Sequence, residues 1–165
     1  MKDPTMRPLL LAAFAAALAG SAKAHEVKAG PLTLGNLAVR ASIGAVPTSA
    51  AYLTIDNAGA APDRLLSVDC ACAQSAMAHR TETKGGISSM DSAAAVVIPA
   101  HGKVTFQPGG LHIMLMGLKG PLKAGGMQEM TLHFEHAGAV KAGFHVRDVI
   151  AAADDGMAGM PRMKH

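Results

Sequence analysis

The chain has 165 residues, which is enough for one domain and too few for two ordinary ones. Half of the residues are hydrophobic, which excludes a wholly disordered chain, and a formal charge of +3 with 3% aromatic residues gives no basic-aromatic platform for a nucleic acid. The unusual counts are 11 Met and 8 His beside only 2 Cys, and they direct attention to soft-metal chemistry.

Residues 1–24 have the pattern of a secretory signal peptide. Arg7 precedes an apolar run at 9–19, and an Ala-x-Ala cleavage signal ends at Ala24. Cleavage there would make His25 the first residue of the mature chain. The alternative is an uncleaved membrane anchor, although the run is short for a span, and no Cys at the cleavage point argues against a lipoprotein. We expect an exported, periplasmic protein without stable membrane insertion.

Beyond the signal peptide, short alternating segments are separated by turn residues. Their spacing of roughly 8 to 12 residues predicts an all-β fold, an antiparallel β-sandwich or barrel, over residues 25–150. The predicted strands lie at 51–56, 65–69, 76–82, 96–98, 104–107, 111–118, 130–135 and 139–146. The last two are expected to form a closing hairpin. Residues 151–165 lack β-branched and aromatic residues, and we predict a flexible tail there.

His and Met residues on the predicted strands are the candidate metal ligands. Outside the cytosol thiols tend to become disulfides, whereas thioethers and imidazoles stay available, and both suit the soft ion Cu(I). His112 and Met114 lie two positions apart on one predicted strand, so their side chains would point to the same side. His79 lies on an earlier strand, and a turn at Gly85–Gly86 would return Met90 toward it. We expect these four side chains to meet.

The spacing of these four residues carries a family resemblance. It is H-x10-M-x21-H-x-M, and the chain resembles the periplasmic copper chaperones called PCuAC, whose motif it matches at every spacing. The stretches 50–55, 108–118 and 121–125 look like the family as well, and the resemblance covers about residues 30–146. One departure is at 36–41, which reads NLAVRA where the family often has a Pro-Trp pair before Ala-Arg-Ala.

The resemblance implies both a fold and a function. The fold would be a cupredoxin-like β-sandwich of Greek-key type that binds one Cu(I) through His79, Met90, His112 and Met114. The partner would be the CuA site in subunit II of cytochrome c oxidase, or a Sco-like assembly protein. Four neutral ligands leave the site at +1, so a recipient with Cys ligands could draw the ion away by ligand exchange. A protein that sequesters copper for tolerance is the alternative.

Two other groups of residues leave alternatives open. Cys70 and Cys72 are a local structural disulfide, two idle thiols, or an auxiliary Cu(I) or redox site. His25 would chelate Cu(II) through its α-amine and imidazole if the chain is cleaved before it. The tail is either a second copper site or an unstructured end whose Met residues are there by chance. Its candidate donors are Met157, Met160, Met163 and His165.

Rival functions find less support in the sequence. A blue-copper site needs Cys close to His and Met, yet no His lies within six residues after either Cys. No Gly-x-Ser-x-Gly or His-Glu-x-x-His motif points to a hydrolase, so we predict that the protein is not an enzyme. A β-sandwich interaction module that binds no metal is the remaining rival. The other histidines are assigned to the ordinary surface: His101, His133, His136 and His145.

Overall fold

A computed structural model describes residues 25–148 of the chain. The predicted signal peptide and the predicted tail therefore lie outside the described residues. Within 25–148 the chain forms eleven strands, and no helix there has the length and hydropathy to cross a membrane. The strands are β1 (Val27–Ala29), β2 (Leu32–Arg40), β3 (Thr48–Asn57), β4 (Asp63–Asp69), β5 (Ala73–Lys84), β6 (Ile87–Ser92), β7 (Val96–Ile98), β8 (Gly102–Phe106), β9 (Leu111–Leu118), β10 (Met127–Phe134) and β11 (Gly138–Arg147).

Seven of these strands close into a ring in the order β2, β11, β10, β4, β5, β9 and β3, with β3 pairing back onto β2. The pairs are antiparallel except for β11 with β2, which is parallel and joins the two ends of the chain. Four further strands add to the rim, since β1 pairs with β2, β6 with β5, β7 with β4 and β8 with β3. The predicted all-β fold is confirmed, and closure of the ring leaves few unpaired edges.

Alternating burial along the strands builds the core inside the ring. On β9, Ile113 and Leu115 are fully buried, and Phe144 on β11 and Leu53 on β3 meet them as part of one apolar cluster. Removing such side chains from water stabilises the fold by about 25 cal/mol per Å² of apolar surface. Because side chains alternate along a strand, the residues between these core positions point away from the core. That outer face of β9 carries His112.

Most of the predicted strands are present. The bounds of β7 and β9 agree with the prediction, and β10 and β11 form the expected hairpin. β2 was not predicted, because a bulge interrupts its alternation at Asn36, which has a φ of 53°. The segment that departs from the PCuAC pattern still packs, since Leu37 and Val39 are buried in the core.

The turn between β5 and β6 determines where Met90 lies. Lys84 and Ile87 pair directly, which leaves Gly85 and Gly86 as a two-residue loop with φ values of 59° and 80°. Two positive φ angles in succession define the tight hairpin turn that matches strand twist, and glycine adopts them without steric cost. The hairpin predicted across these glycines is therefore present, and β6 returns along β5.

Candidate metal site

Three neighbouring strands, β9, β5 and β6, carry the four predicted ligands. His79 on β5 lies directly opposite His112 on β9, and Met114 lies opposite Met77. Met90 on β6 lies opposite the residue two positions along β5 from His79. Directly opposed residues share a face of a sheet, and so do residues two apart on one strand. The four predicted ligands therefore share one face, turned away from the core, which we call the His–Met face.

The two histidines of the His–Met face lie side by side. Their ring centroids are 6.1 Å apart, and the ring planes differ by 25°. His112 is 7% exposed, and its Nδ1 donates a hydrogen bond to the Gly110 carbonyl oxygen at 3.0 Å. Because a carbonyl only accepts, this bond fixes the proton on Nδ1 and leaves Nε2 with a free lone pair. His112 is thus oriented as a metal-binding imidazole by its own turn.

His79 lacks the hydrogen bonds that a shielded imidazole normally has. Both of its ring nitrogens are hidden from solvent, and neither has a partner. Within residues 25–148, no other buried side-chain nitrogen or oxygen lacks a hydrogen-bond partner. An unpaired buried polar group costs about 1–3 kcal/mol. A metal ion between His79 and His112 would give such a nitrogen its partner.

The methionine side chains on this face are more exposed than His112. Met114 is half-buried, whereas Met90 is 51% exposed on a strand whose residues are all exposed. Met77 was not predicted as part of the site, yet it lies on the same face, opposite Met114, and is 44% exposed. Met116 is half-buried on the same face of β9. The face therefore offers up to four sulfur donors beside its two imidazoles.

The donor set distinguishes between classes of metal. Among the described residues, no group of three or more His, Cys, Asp or Glu could hold an ion. Two neutral imidazoles with neutral thioethers make a poor site for Mg²⁺ or Ca²⁺, which require oxygen ligands, and a good one for Cu(I). The residues on this face therefore suit the ion that the sequence indicates. The assignment of His79, Met90, His112 and Met114 as its ligands stays a prediction.

The cysteines lie away from this face, in the turn between β4 and β5. Cys70 and Cys72 form a disulfide with each other, so they are not idle thiols. They are the only cysteines of the sequence, so neither is a free thiol. A blue-copper centre needs a thiolate ligand, and this chain with its disulfide formed does not supply one.

The remaining histidines have different partners. His133 Nε2 lies 2.7 Å from an Asp69 carboxylate oxygen, and His136 Nδ1 lies 3.4 Å from Asp63 Oδ1. His145 was assigned to the ordinary surface, but its ring lies 5.4 Å from that of His25, between centroids. The pairing of His25 with His145 could not be read from the sequence, because it depends on the register of β11 against β2.

Asp63 is a buried carboxylate with a structural role. It is 4% exposed at the start of β4, where it accepts backbone N–H bonds from Arg64, His136 and Ala137 at 2.7–3.0 Å. Burial raises the pKa of Asp63, but these hydrogen bonds to its charged form outweigh burial and hold the pKa below its ordinary value. The carboxylate thereby fixes the β10–β11 turn to β4.

Comparison with known proteins places the chain among two sets of relatives. The sequence model of the LpqE-like family matches residues 32–146. A protein of Leifsonia xyli subsp. xyli, named "Putative lipoprotein Lxx21020", is 34% identical over 108 residues. That match covers 65% of this chain and 65% of the relative, so the chain spans about two thirds of the length of that protein.

Solved structures with the same fold are PCuAC domains and a related bacterial protein. The copper-bound PCuAC domain from PmoF2 has a TM-score of 0.66 at 28% identity, over 75% of this chain and 98% of that domain. The apo PCuAC domain from PmoF1 also scores 0.66, at 30% identity, with 75% and 99% covered. The Cu(I) form of DR1885 from Deinococcus radiodurans scores 0.60 at 32% identity, with 82% and 87% covered. These likenesses confirm the cupredoxin-like fold and support the resemblance to PCuAC domains.

Proposed function

The chain belongs to the LpqE-like family, and from that premise and the geometry of the His–Met face we propose that it is a copper chaperone. It binds one Cu(I) through the imidazoles of His79 and His112 and the thioethers of Met90 and Met114. The solved relatives that hold copper support this proposal, since their domains have the same fold at about 30% identity. The motif spacing of these four residues supports it from the sequence.

One observation carries the proposal, namely the shielded and unpaired imidazole of His79 directly opposite His112. In a protein that binds no ligand there, the unpaired imidazole would lower stability without serving a function. His112 is held by its bond to Gly110 so that Nε2 is free to bind the ion. The two imidazoles bind at the closed side of the site, and the thioethers complete the coordination from the open side.

The same geometry supports release of the ion to another protein. The donors are neutral, so the bound Cu(I) keeps its +1 charge and thiolates of a recipient would bind it more strongly. Met90 is about half exposed and is the donor a recipient would displace first. We propose that the recipient is the CuA site of cytochrome c oxidase subunit II or a Sco-like assembly protein. No enzymatic activity is part of this proposal.

We propose that the protein is exported from the cytosol. The disulfide between Cys70 and Cys72 supports it, because such bonds persist in oxidising compartments. The curated relative carries "lipoprotein" in its name, which also favours the cell envelope. The signal peptide and its cleavage after Ala24 remain predictions, as does the periplasmic location.

The proposal is tested by titrating the protein with Cu(I) in the presence of a chelator that competes for the ion. Met114→Ala should weaken Cu(I) binding at least about tenfold, since it removes a donor from the first coordination sphere. Met127→Ala is the matched control, because Met127 is an exposed methionine on the outer face of β10, outside the His–Met face. Equal affinity of Met114→Ala and the parent chain would refute the ligand assignment.

A transfer assay separates delivery from sequestration. The Cu(I)-loaded protein is mixed with the soluble CuA domain of an oxidase subunit II, and copper is measured on each protein after separation. A chaperone should give up most of its copper to the dithiol acceptor. Retention of the ion would instead favour the copper-tolerance alternative.

A further inference from the structure

Two histidines from opposite ends of the described chain meet on the outer surface. His25 directly precedes β1, and His145 lies near the end of β11. β2 brings them together, because β1 and the end of β11 pair with the same edge of β2, opposite the edge that pairs with β3. Their ring centroids are 5.4 Å apart, with the planes tilted by 45°.

This pair is separate from the His–Met face. Around the ring of strands, β10 and β4 lie between β11 and β5 in one direction, and β2 and β3 lie between β11 and β9 in the other. His25 is exposed and His145 is half-buried, so an ion could reach both rings from solvent. Neither ring belongs to the motif that defines the first site.

The donor atoms that this pair offers to a metal ion are nitrogens. The predicted cleavage after Ala24 frees the α-amine of His25, which forms a chelate ring together with the imidazole of the same residue. His145 then adds an imidazole from a distant strand. Three neutral nitrogens suit the square-planar or tetragonal preference of Cu(II), whereas Cu(I) prefers the thioethers of the His–Met face. The α-amine has an ordinary pKa of about 7.7–8.0, so binding near neutral pH releases its proton.

We propose that the mature chain binds one Cu(II) through the α-amine and imidazole of His25 and the imidazole of His145. The site forms only in the folded protein, because the register of β11 against β2 is what brings His145 to the N-terminus. The inference goes beyond the proposed Cu(I) function and does not depend on it. Both oxidation states of copper would then have a place on one chain, on different donors and on different strands.

Electron paramagnetic resonance and competition titration with Cu(II) alone test this site. The protein is the full mature chain, residues 25–165, with a free amino group on His25. One equivalent of Cu(II) should give a spectrum with nitrogen ligands, and His145→Ala should weaken Cu(II) binding at least about tenfold. A chain whose His25 α-amine is acetylated should lose affinity similarly, because the blocked amine cannot bind the ion. His133→Ala is the matched control, since this histidine pairs with Asp69 on the surface of β10, and it should bind Cu(II) like the parent.

Several results would overturn the proposal. Unchanged Cu(II) affinity in His145→Ala, or in the chain with an acetylated His25 amine, would show that these donors do not form the site. Loss of the Cu(II) signal in His112→Ala, with the fold intact by circular dichroism, would place the ion on the His–Met face instead. The Cu(I) affinity of His145→Ala distinguishes the two sites. This variant should bind Cu(I) like the parent even when its Cu(II) affinity is lost.

Discussion

The two faces of the β5–β9 pair have opposite characters. The inner face carries Ala78, Ile113 and Leu115, which are at most 9% exposed and contact only the apolar core. The outer face carries His79 and His112, side by side, with ring nitrogens of His79 that have no partner. Both faces are built by the same register of the same two strands. The comparison teaches that one face of this pair stabilises the fold, and the other carries an unpaired imidazole that lowers stability.

The first prediction removes volume from the inner face. Ile113→Ala should lower the free energy of unfolding by about 2–5 kcal/mol, because Ile113 is fully buried and the substitution leaves a cavity. Urea unfolding measures the change. Cu(I) affinity of the folded variant should stay close to that of the parent, since its register and outer face are kept. A variant that loses copper binding as fully as Met114→Ala would contradict the separation of the two faces.

The second prediction concerns a buried polar group that does have partners, Asp63. Asp63→Ala should lower the free energy of unfolding by about 1–3 kcal/mol, because the N–H groups of Arg64, His136 and Ala137 lose their acceptor. The lowered pKa of Asp63 also gives a pH dependence. Its stabilisation is complete above the ordinary value of 3.8 and is lost as the pH falls through the lower pKa of the folded state. Denaturation curves at several pH values measure this loss, and Asp63→Ala should lack this component. An equal acid response in both proteins would contradict the assignment.

The third prediction concerns the buried polar group without partners. His79→Leu should leave the free energy of unfolding of the copper-free protein unchanged or raise it by up to about 1–3 kcal/mol, because it removes an unpaired buried imidazole. The same variant should lose Cu(I) affinity. Chemical denaturation and chelator competition on one sample measure both effects. A large loss of stability would show that His79 is a structural residue, as Asp63 is.

Local signals in the sequence predicted much of the fold. Leu111–Leu118 is a mostly apolar stretch that follows the turn at Pro108-Gly109-Gly110, and β9 has those bounds. β6 escaped prediction as a strand because every residue of Ile87–Ser92 is exposed, so its sequence has no alternation between apolar and polar positions. β2 escaped because of its bulge at Asn36. In both cases pairing with a neighbour, and not local pattern, determines the strand.

The same distinction applies to the candidate site. His112 and Met114 could be placed on one face from their spacing alone, because they lie two apart on one strand. That His79 lies opposite His112, and Met77 opposite Met114, depends on the register between β5 and β9, which have 26 residues between them in the chain. The unpaired state of His79 is likewise a property of its surroundings. The sequence therefore predicted the candidate donors, and the structure adds their arrangement.

X-ray absorption spectroscopy of the mature chain loaded with one equivalent of Cu(I) tests the central claim most directly. The account predicts a coordination sphere of imidazole nitrogen and thioether sulfur together, with sulfur scattering reduced in Met114→Ala and imidazole scattering reduced in His112→Ala. A sphere without sulfur, or one that neither substitution changes, would contradict the His–Met face as the copper site.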